Sequence, residues 1–284
     1  MFVSKYDTSG VLRWTEQLGT NCDDYSYGIS ADGWDNVYIT GYTIDNSGGP
    51  NHGNYYAFLR KFDTSGSLLW TEEFDTCLSY GVSADDLGNA YICGRGFVRK
   101  YNDSGALLWS DSLAYDGQDV SEDGLGNIYV TGYGSGDAFV SKYDGSGTHC
   151  WTKRLGTSKT DWGLGVSADG LGNVYITGKT EGSLGGPNAG YDDAFVCKFD
   201  ASGTFIWIEK FATSQYDSGI GVSTDGLGNV YFTGYTSLPF DNIRDGVFIE
   251  KICDVPEPST FVGLLGLCLA GVLGWGRRGR FGER

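Results

Sequence analysis

The sequence predicts an all-β protein, a β-propeller of four-stranded blades with about five blade equivalents, followed by one C-terminal transmembrane helix. Three observations predict it. A unit of about 50 residues recurs, each copy holding four short apolar stretches separated by Asp-Gly, Gly-Asn and Ser-Gly pairs. Glycine is abundant and proline scarce, 46 against 5 in 284 residues, and Phe, Trp and Tyr together make 15%. That is a composition of short strands and tight turns, too aromatic for a disordered chain. Near the C-terminus, residues 260–276 form a run of 17 without a charge.

The blade elements come in a fixed order. The first is a glycine-bounded signature, "GISADGWDNVYITG" at 28–41, "GVSADDLGNAYICG" at 81–94, "DVSEDGLGNIYVTG" at 119–132, "GVSADGLGNVYITG" at 165–178 and "GVSTDGLGNVYFTG" at 221–234. It reads as two strands joined by a turn in which Gly permits positive φ and Asp or Asn bonds to the local backbone. An aromatic-apolar strand ending in lysine follows, as in "AFLRKFD", "AFVSKYD" and "AFVCKFD". A D-x-S-G turn then leads into a strand carrying tryptophan, as in "DTSGSLLWTEEF" and "DASGTFIWIEKF". Lys5, Lys61, Lys100, Lys142, Lys198 and Lys251 mark the register, at spacings of 56, 39, 42, 56 and 53. No helical periodicity interrupts the pattern.

Four strands per unit of this length point to blades stacked radially, since one blade cannot bury both of its faces. Trp14, Trp70, Trp109, Trp151 and Trp207 stand at one strand position and are expected between blades, carbohydrate stacking being the sharper alternative. The strand count is two at the start, sixteen in four full units and three at the end, where five closed blades need twenty. Either the first strands complete the last blade of a five-bladed ring, or the chain is a shortened piece of a larger ring. The opening "MFVSKYDTSGVLRW", which begins in a third strand with no export signal before it, favours the second.

The "DGLGNVYITG" unit with its "FVSKYDxSGxxxW" partner resembles the SBBP β-propeller repeat of bacterial surface proteins over residues 2–253. The tryptophan-bearing half is more weakly similar to repeats of quinoprotein dehydrogenase propellers. Neither adjacent cysteines nor the Glu, Asn and Asp calcium set that such a cofactor site implies can be picked out.

Loops of a four-stranded blade alternate between two faces. The short Asp-Gly-x-Gly-Asn and D-x-S-G turns share one; the loops of variable length share the other, where binding residues sit on a rigid scaffold. That loop face holds two related insertions, "SGGPNHGNYY" at 47–56 and "LGGPNAGYDD" at 184–193. It also holds Asp24, Asp161 and Asp217, each four residues before a repeat glycine and flanked by Tyr25, Trp162 and Tyr216. Carboxylates near a propeller axis could hold a cation, calcium being the fitting one, and carboxylate with aromatic could hold a sugar. The plainer reading is turn chemistry with solvated charge. The Asp-Gly-x-Gly-Asn turns lack the D-x-D-x-D spacing of a calcium loop.

Net charge is −16 overall and −19 over residues 1–258, where 35 acidic face 16 basic side chains. Such a surface repels phosphate backbones and argues against nucleic acid as a partner. Seven cysteines show no zinc-like spacing, and His52 and His149 are the only histidines, so no resident metal or cofactor is expected. There is no G-x-S-x-G elbow, triad or phosphate loop, and the adjacent pairs Asp23/Asp24 and Asp192/Asp193 do not make a glycosidase geometry. No catalytic residues are expected.

The chain divides into a repeat domain, 1–253, and a tail, 254–284. At ~1.5 Å per residue the uncharged run 260–276 reaches about 25 Å, the short end of a membrane span. Trp275 suits its interface, and Arg277, Arg278 and Arg280 hold the C-terminus in the cytoplasm. Pro256-Glu257-Pro258 precedes the run and keeps the chain extended. This order of Pro-Glu-Pro, short apolar helix and arginine-rich end resembles the PEP-CTERM protein-sorting signal. The resemblance implies an exosortase-type membrane transpeptidase that cuts near the motif, transient residence in the inner membrane, and delivery to the surface or matrix of a Gram-negative-type bacterium with a biofilm programme. The expected function is that of a non-catalytic surface propeller in adhesion, matrix structure or ligand binding, with exopolysaccharide or surface glycan as the partner. A polysaccharide-cleaving surface enzyme and a permanently anchored single-span protein are the alternatives.

Overall fold

The computed structural model describes residues 1–19, 23–44, 55–75, 78–225, 228–237 and 246–253. Met1–Asp254 form one compact unit, and every regular element described is a strand.

A hairpin of β1 (Phe2–Tyr6) and β2 (Leu12–Gln17) is followed by a first complete blade, β3 (Asp24–Ala31), β4 (Val37–Thr43), β5 (Tyr56–Phe62) and β6 (Leu68–Asp75). Next come β7 (Ser79–Ala84), β8 (Ala90–Tyr101), β9 (Leu107–Glu122), β10 (Ile128–Gly134), β11 (Asp137–Tyr143) and β12 (His149–Leu155), joined in one sheet. This sheet is two blades run together. In β8, residues 90–94 pair with β7 and residues 97–101 with the start of β9; residues 116–122 of β9 pair with β10. A fourth blade holds β13 (Asp161–Ala168), β14 (Val174–Thr180), β15 (Asp193–Phe199) and β16 (Phe205–Phe211), and β17 (Asp217–Thr224), β18 (Asn229–Thr236) and β19 (Gly246–Cys253) form a last, three-stranded sheet.

The protein is thus an all-β propeller with four complete blades, where the strand count pointed to about five blade equivalents. The remaining strands stand apart, in a two-stranded and a three-stranded sheet. The five-bladed closure therefore does not form among the described residues: β2 pairs with β1, and β19 bonds to β18 alone. No helix among the described residues is long and apolar enough to cross a membrane, and the helix expected at 260–276 lies outside them.

Each core cluster belongs to two neighbours rather than one blade. Tyr38 and Leu59 of the first blade pack with Val82, Ile92 and Phe97 of the second; Tyr129 and Val140 of the third pack with Val166, Ile176 and Phe195 of the fourth. The middle strands are covered on both sides, so β15 is buried at all seven residues, the charged Asp193 and Lys198 included, and residues 194–197 are apolar without alternation.

The repeat residues are the clasps between blades. Trp14, Trp70, Trp109 and Trp151 lie over Gly66, Gly105, Gly147 and Gly203, the glycine of the next blade's D-x-S-G turn. The indole N–H of Trp14, Trp70 and Trp109 donates to a carbonyl there, at 3.0, 2.9 and 3.3 Å. Trp207 packs against the cluster that holds Tyr175, Val230 and Phe232, its ring 6.1 Å from that of Tyr175. The ammonium groups of Lys61, Lys100, Lys142, Lys198 and Lys251 lie over the signature tyrosine beside them, Lys61 over Tyr38 at 4.9 Å and Lys100 over Tyr91 at 5.0 Å, a cation–π contact. Buried Lys61 also pairs with Asp32 at 3.7 Å and with Asp103 of the next blade. Signature serines bond across blade boundaries: Ser30 and Ser121 accept hydrogen bonds from the amides of Ala84 and Ala168 one blade on, both at 3.0 Å, and Ser83 from that of Glu122 at 3.3 Å.

Turn chemistry accounts for the first aspartate of each signature turn. Asp32 Oδ1 accepts from the amides of Trp34 and Asn36 at 2.9 Å, and Oδ2 accepts from the Asn36 side chain and the Tyr38 hydroxyl at 2.8 and 3.1 Å. Asp85, Asp123 and Asp169 repeat this set. Bonds to the charged form depress a carboxyl pKa, and that of Asp32 is lowered although burial opposes it.

Candidate functional site: the loop face

Asp161 and Asp217 open β13 and β17 and are fully buried. The Thr157 amide and hydroxyl donate to Asp161 Oδ2 at 2.6 and 3.0 Å, and the Thr180 hydroxyl donates to Oδ1. Asp217 receives the Thr213 amide and hydroxyl at 2.6 and 2.9 Å in the same way. Asp24 stands at the matching register position, opposite Thr43 as Asp161 is opposite Thr180. The two buried carboxylates tie the blade-joining loop to the strand it enters. Among the described residues no three metal-ligating side chains come together for an ion. Asp192 and Asp193 are held likewise, by Lys179 at 2.9 Å and by Lys210, which also donates to the Pro187 carbonyl at 3.0 Å and pins the insertion.

The aromatic neighbours of these aspartates are different: they are open and arranged in pairs. Tyr25 and Tyr216 are 44% and 49% exposed. Trp162 stacks on Tyr133 with centroids 4.3 Å apart and planes 7° from parallel, and Tyr216 on Tyr191 at 4.5 Å and 12°. The Lys179 ammonium lies 4.6 Å over the Trp162 ring. Tyr25 meets Tyr42 at 5.1 Å; Tyr42 also meets Tyr27 and Tyr55, and Tyr27 meets Tyr80 edge-on at 5.4 Å. Beside the Trp162–Tyr133 stack a cleft of about 500 Å³ opens between the third and fourth blades, lined by Tyr115, Asp116, Tyr133, Ser135, Thr160 and Trp162. Burial, followed by neighbouring charges, pushes the Tyr80 hydroxyl up to about 12, and burial raises Tyr133 too. These phenols remain hydrogen-bond donors at neutral pH.

Asp119 takes the place that glycine holds in four of the five signatures. Its Oδ1 and Oδ2 accept from the amides of Val120 and, across the blade boundary, Val166, both at 2.9 Å. Burial outweighs those bonds and pushes its carboxyl up to about 6.

The sequence singled out Tyr25, Trp162 and Tyr216 but not Tyr27, Tyr42, Tyr80 or Tyr133. One signal for part of this was present. The residue after the signature's last glycine pairs across strands with the residue after the loop aspartate, Tyr42 with Tyr25 and Lys179 with Trp162. Side chains so placed share a face. The 47–56 insertion lies almost wholly outside the described residues, as do Pro256, Glu257, Pro258, Trp275, Arg277, Arg278 and Arg280.

Residues 13–49, 151–186 and 206–241 match the SBBP beta-propeller repeat, and residues 254–278 match the PEP-CTERM protein-sorting motif. The chain carries SBBP β-propeller repeats and a PEP-CTERM sorting motif. The second match takes in Pro256-Glu257-Pro258, the uncharged run, Arg277 and Arg278. Together the two mark an exported surface protein. No curated protein matches the chain. Among solved structures, that of the Dos1 propeller is similar at a TM-score of 0.48 and 12% identity, covering 81% of this chain and 69% of its own. The Pan2 WD40 domain of Neurospora crassa is similar at 0.48 and 8%, covering 79% and 78%.

Proposed function

We propose that the protein is a non-catalytic surface propeller, cut from its tail by an exosortase-type membrane transpeptidase and displayed as a glycan-binding module in the surface or matrix of a Gram-negative-type bacterium. The observation that carries the sorting half is the PEP-CTERM match directly after the last propeller strand. It makes the protein a substrate of the sorting enzyme. The tail holds it in the inner membrane only until cleavage.

The ligand half rests on the loop-face cleft. Stacked aromatics present flat apolar surface to sugar C–H groups, while the Tyr133 hydroxyl, Ser135, Thr160 and the Asp116 carboxylate offer donors and acceptors for sugar hydroxyls. The acidic body repels anionic polymers, so the fitting ligand is a neutral or cationic polysaccharide. Stacking and hydrogen bonding of this kind call for no cofactor. Titration of the intact protein with host exopolysaccharide, followed by calorimetry, tests this. Trp162→Ala should weaken binding about tenfold, the equivalent of one stacked ring with its contact area. Undiminished binding by Trp162→Ala would remove the cleft from the account. Shortening of the polysaccharide with time would replace the binding reading with an enzyme.

A further inference from the structure

The turn face carries a feature that turn chemistry does not require. The third residue of each Asp-Gly-x-Gly-Asn turn contributes its backbone amide to the turn aspartate, so any side chain would serve. In four successive blades that residue is nevertheless large and apolar: Trp34, Leu87, Leu125 and Leu171, exposed by 54, 72, 64 and 80%. Leu68 and Leu107, which follow the D-x-S-G turns at the same end of the blades, are each 52% exposed. A large apolar side chain thus recurs at one turn position in four blades and places them all on the same face.

The path of the chain says what meets it. Cys253, the last residue of β19, pairs with Asn229, and Asn229 closes the Asp225 turn through its amide and its carbonyl. The propeller therefore ends on the turn face. Only residues 254–259 separate it from the uncharged run 260–276, so a bilayer holding that run lies within about 25 Å of this face even with the linker fully extended. Of the carboxylates on this face, Asp32 and Asp123 are 7% and 3% exposed and engaged by their turns, while the exposed Asp35 and Asp103 are paired with Lys5 and Lys61.

We infer that the turn face rests on a zwitterionic lipid surface while the tail is in the membrane, with Trp34, Leu87, Leu125 and Leu171 reaching into the interfacial layer. This rests on the membrane-inserted tail of the proposed function. It goes beyond that reading in giving the propeller one orientation: the loop-face cleft points away from the bilayer, open to ligand before release. Anionic lipid is disfavoured by the −19 body.

The full chain, reconstituted through its tail into phosphatidylcholine vesicles, tests the inference by photocrosslinking. Leu171→p-benzoylphenylalanine places the probe on the turn face, and Tyr191→p-benzoylphenylalanine places it in the 184–193 insertion of the loop face. The expected result is co-flotation of both proteins with the vesicles, and lipid adducts at position 171 at least tenfold above those at 191. Co-flotation with equal or negligible adducts at both positions would overturn the orientation and leave the inserted tail standing. Failure to co-float would overturn the inserted tail and the orientation with it.

Discussion

Gly178→Ala is expected to destabilise the propeller by about 3 kcal/mol or more, lowering the melting temperature by about 10 °C. A Cβ at 178 would overlap the Trp162 carbonyl oxygen, a backbone atom that cannot rotate away. The overlap follows from the bulge in β13, where the register shifts between Gly163 and Gly165 and the strand presses against β14. Gly41, Gly94, Gly132 and Gly234 meet the carbonyls of Tyr25, Leu78, Asp116 and Ser218 in the same way, so the signature's last glycine is required by space in every copy. Gly170→Ala is the matched control: nothing lies within 4 Å of a Cβ there, and its effect should stay within about 0.5 kcal/mol. Thermal unfolding followed by circular dichroism separates the two, and equal melting temperatures would contradict the bulge account.

Trp70→Ala is the second large effect, a loss of about 3 kcal/mol in denaturant unfolding. The value is set at the low end for large-to-small core changes because the ring is only partly buried. The indole joins two blades: it packs on Tyr38 at 6.0 Å within its own and on Gly105 of the next, and its N–H donates to the Asp103 carbonyl at 2.9 Å. Trp70→Phe keeps most of the contact and loses the hydrogen bond, which predicts about 1 kcal/mol. Two variants of equal stability would mean that the ring is a surface group, as the carbohydrate-stacking alternative requires.

The fold was legible because one job recurs in every blade. Lys, Tyr and Trp return at fixed offsets since each clasps the next blade in the same geometry, so counting them located the strands. The closing of the array was less legible. Strand counting cannot distinguish a hairpin that completes the last blade from one that packs on the first, and β1–β2 does the latter through Val3 against Val37 and Phe58. The loop face was half legible. A buried aspartate that ties a loop and a solvent-facing one that could hold an ion look alike in sequence, so the burial of Asp161 and Asp217 and their bonds to Thr157 and Thr213 could not be read from it. Tyr80 and Tyr133 went unremarked because the blades that hold them are distant in sequence and meet only on the folded face.

The central claim, that this propeller is cargo released from a temporary tail, is tested most directly at its own C-terminus. Mass spectrometry of the mature protein from its native host should find peptides ending near Pro258 and none from residues 261–284. A mature protein that retains Arg277 and Arg278 would contradict the account and leave a permanently anchored one in its place.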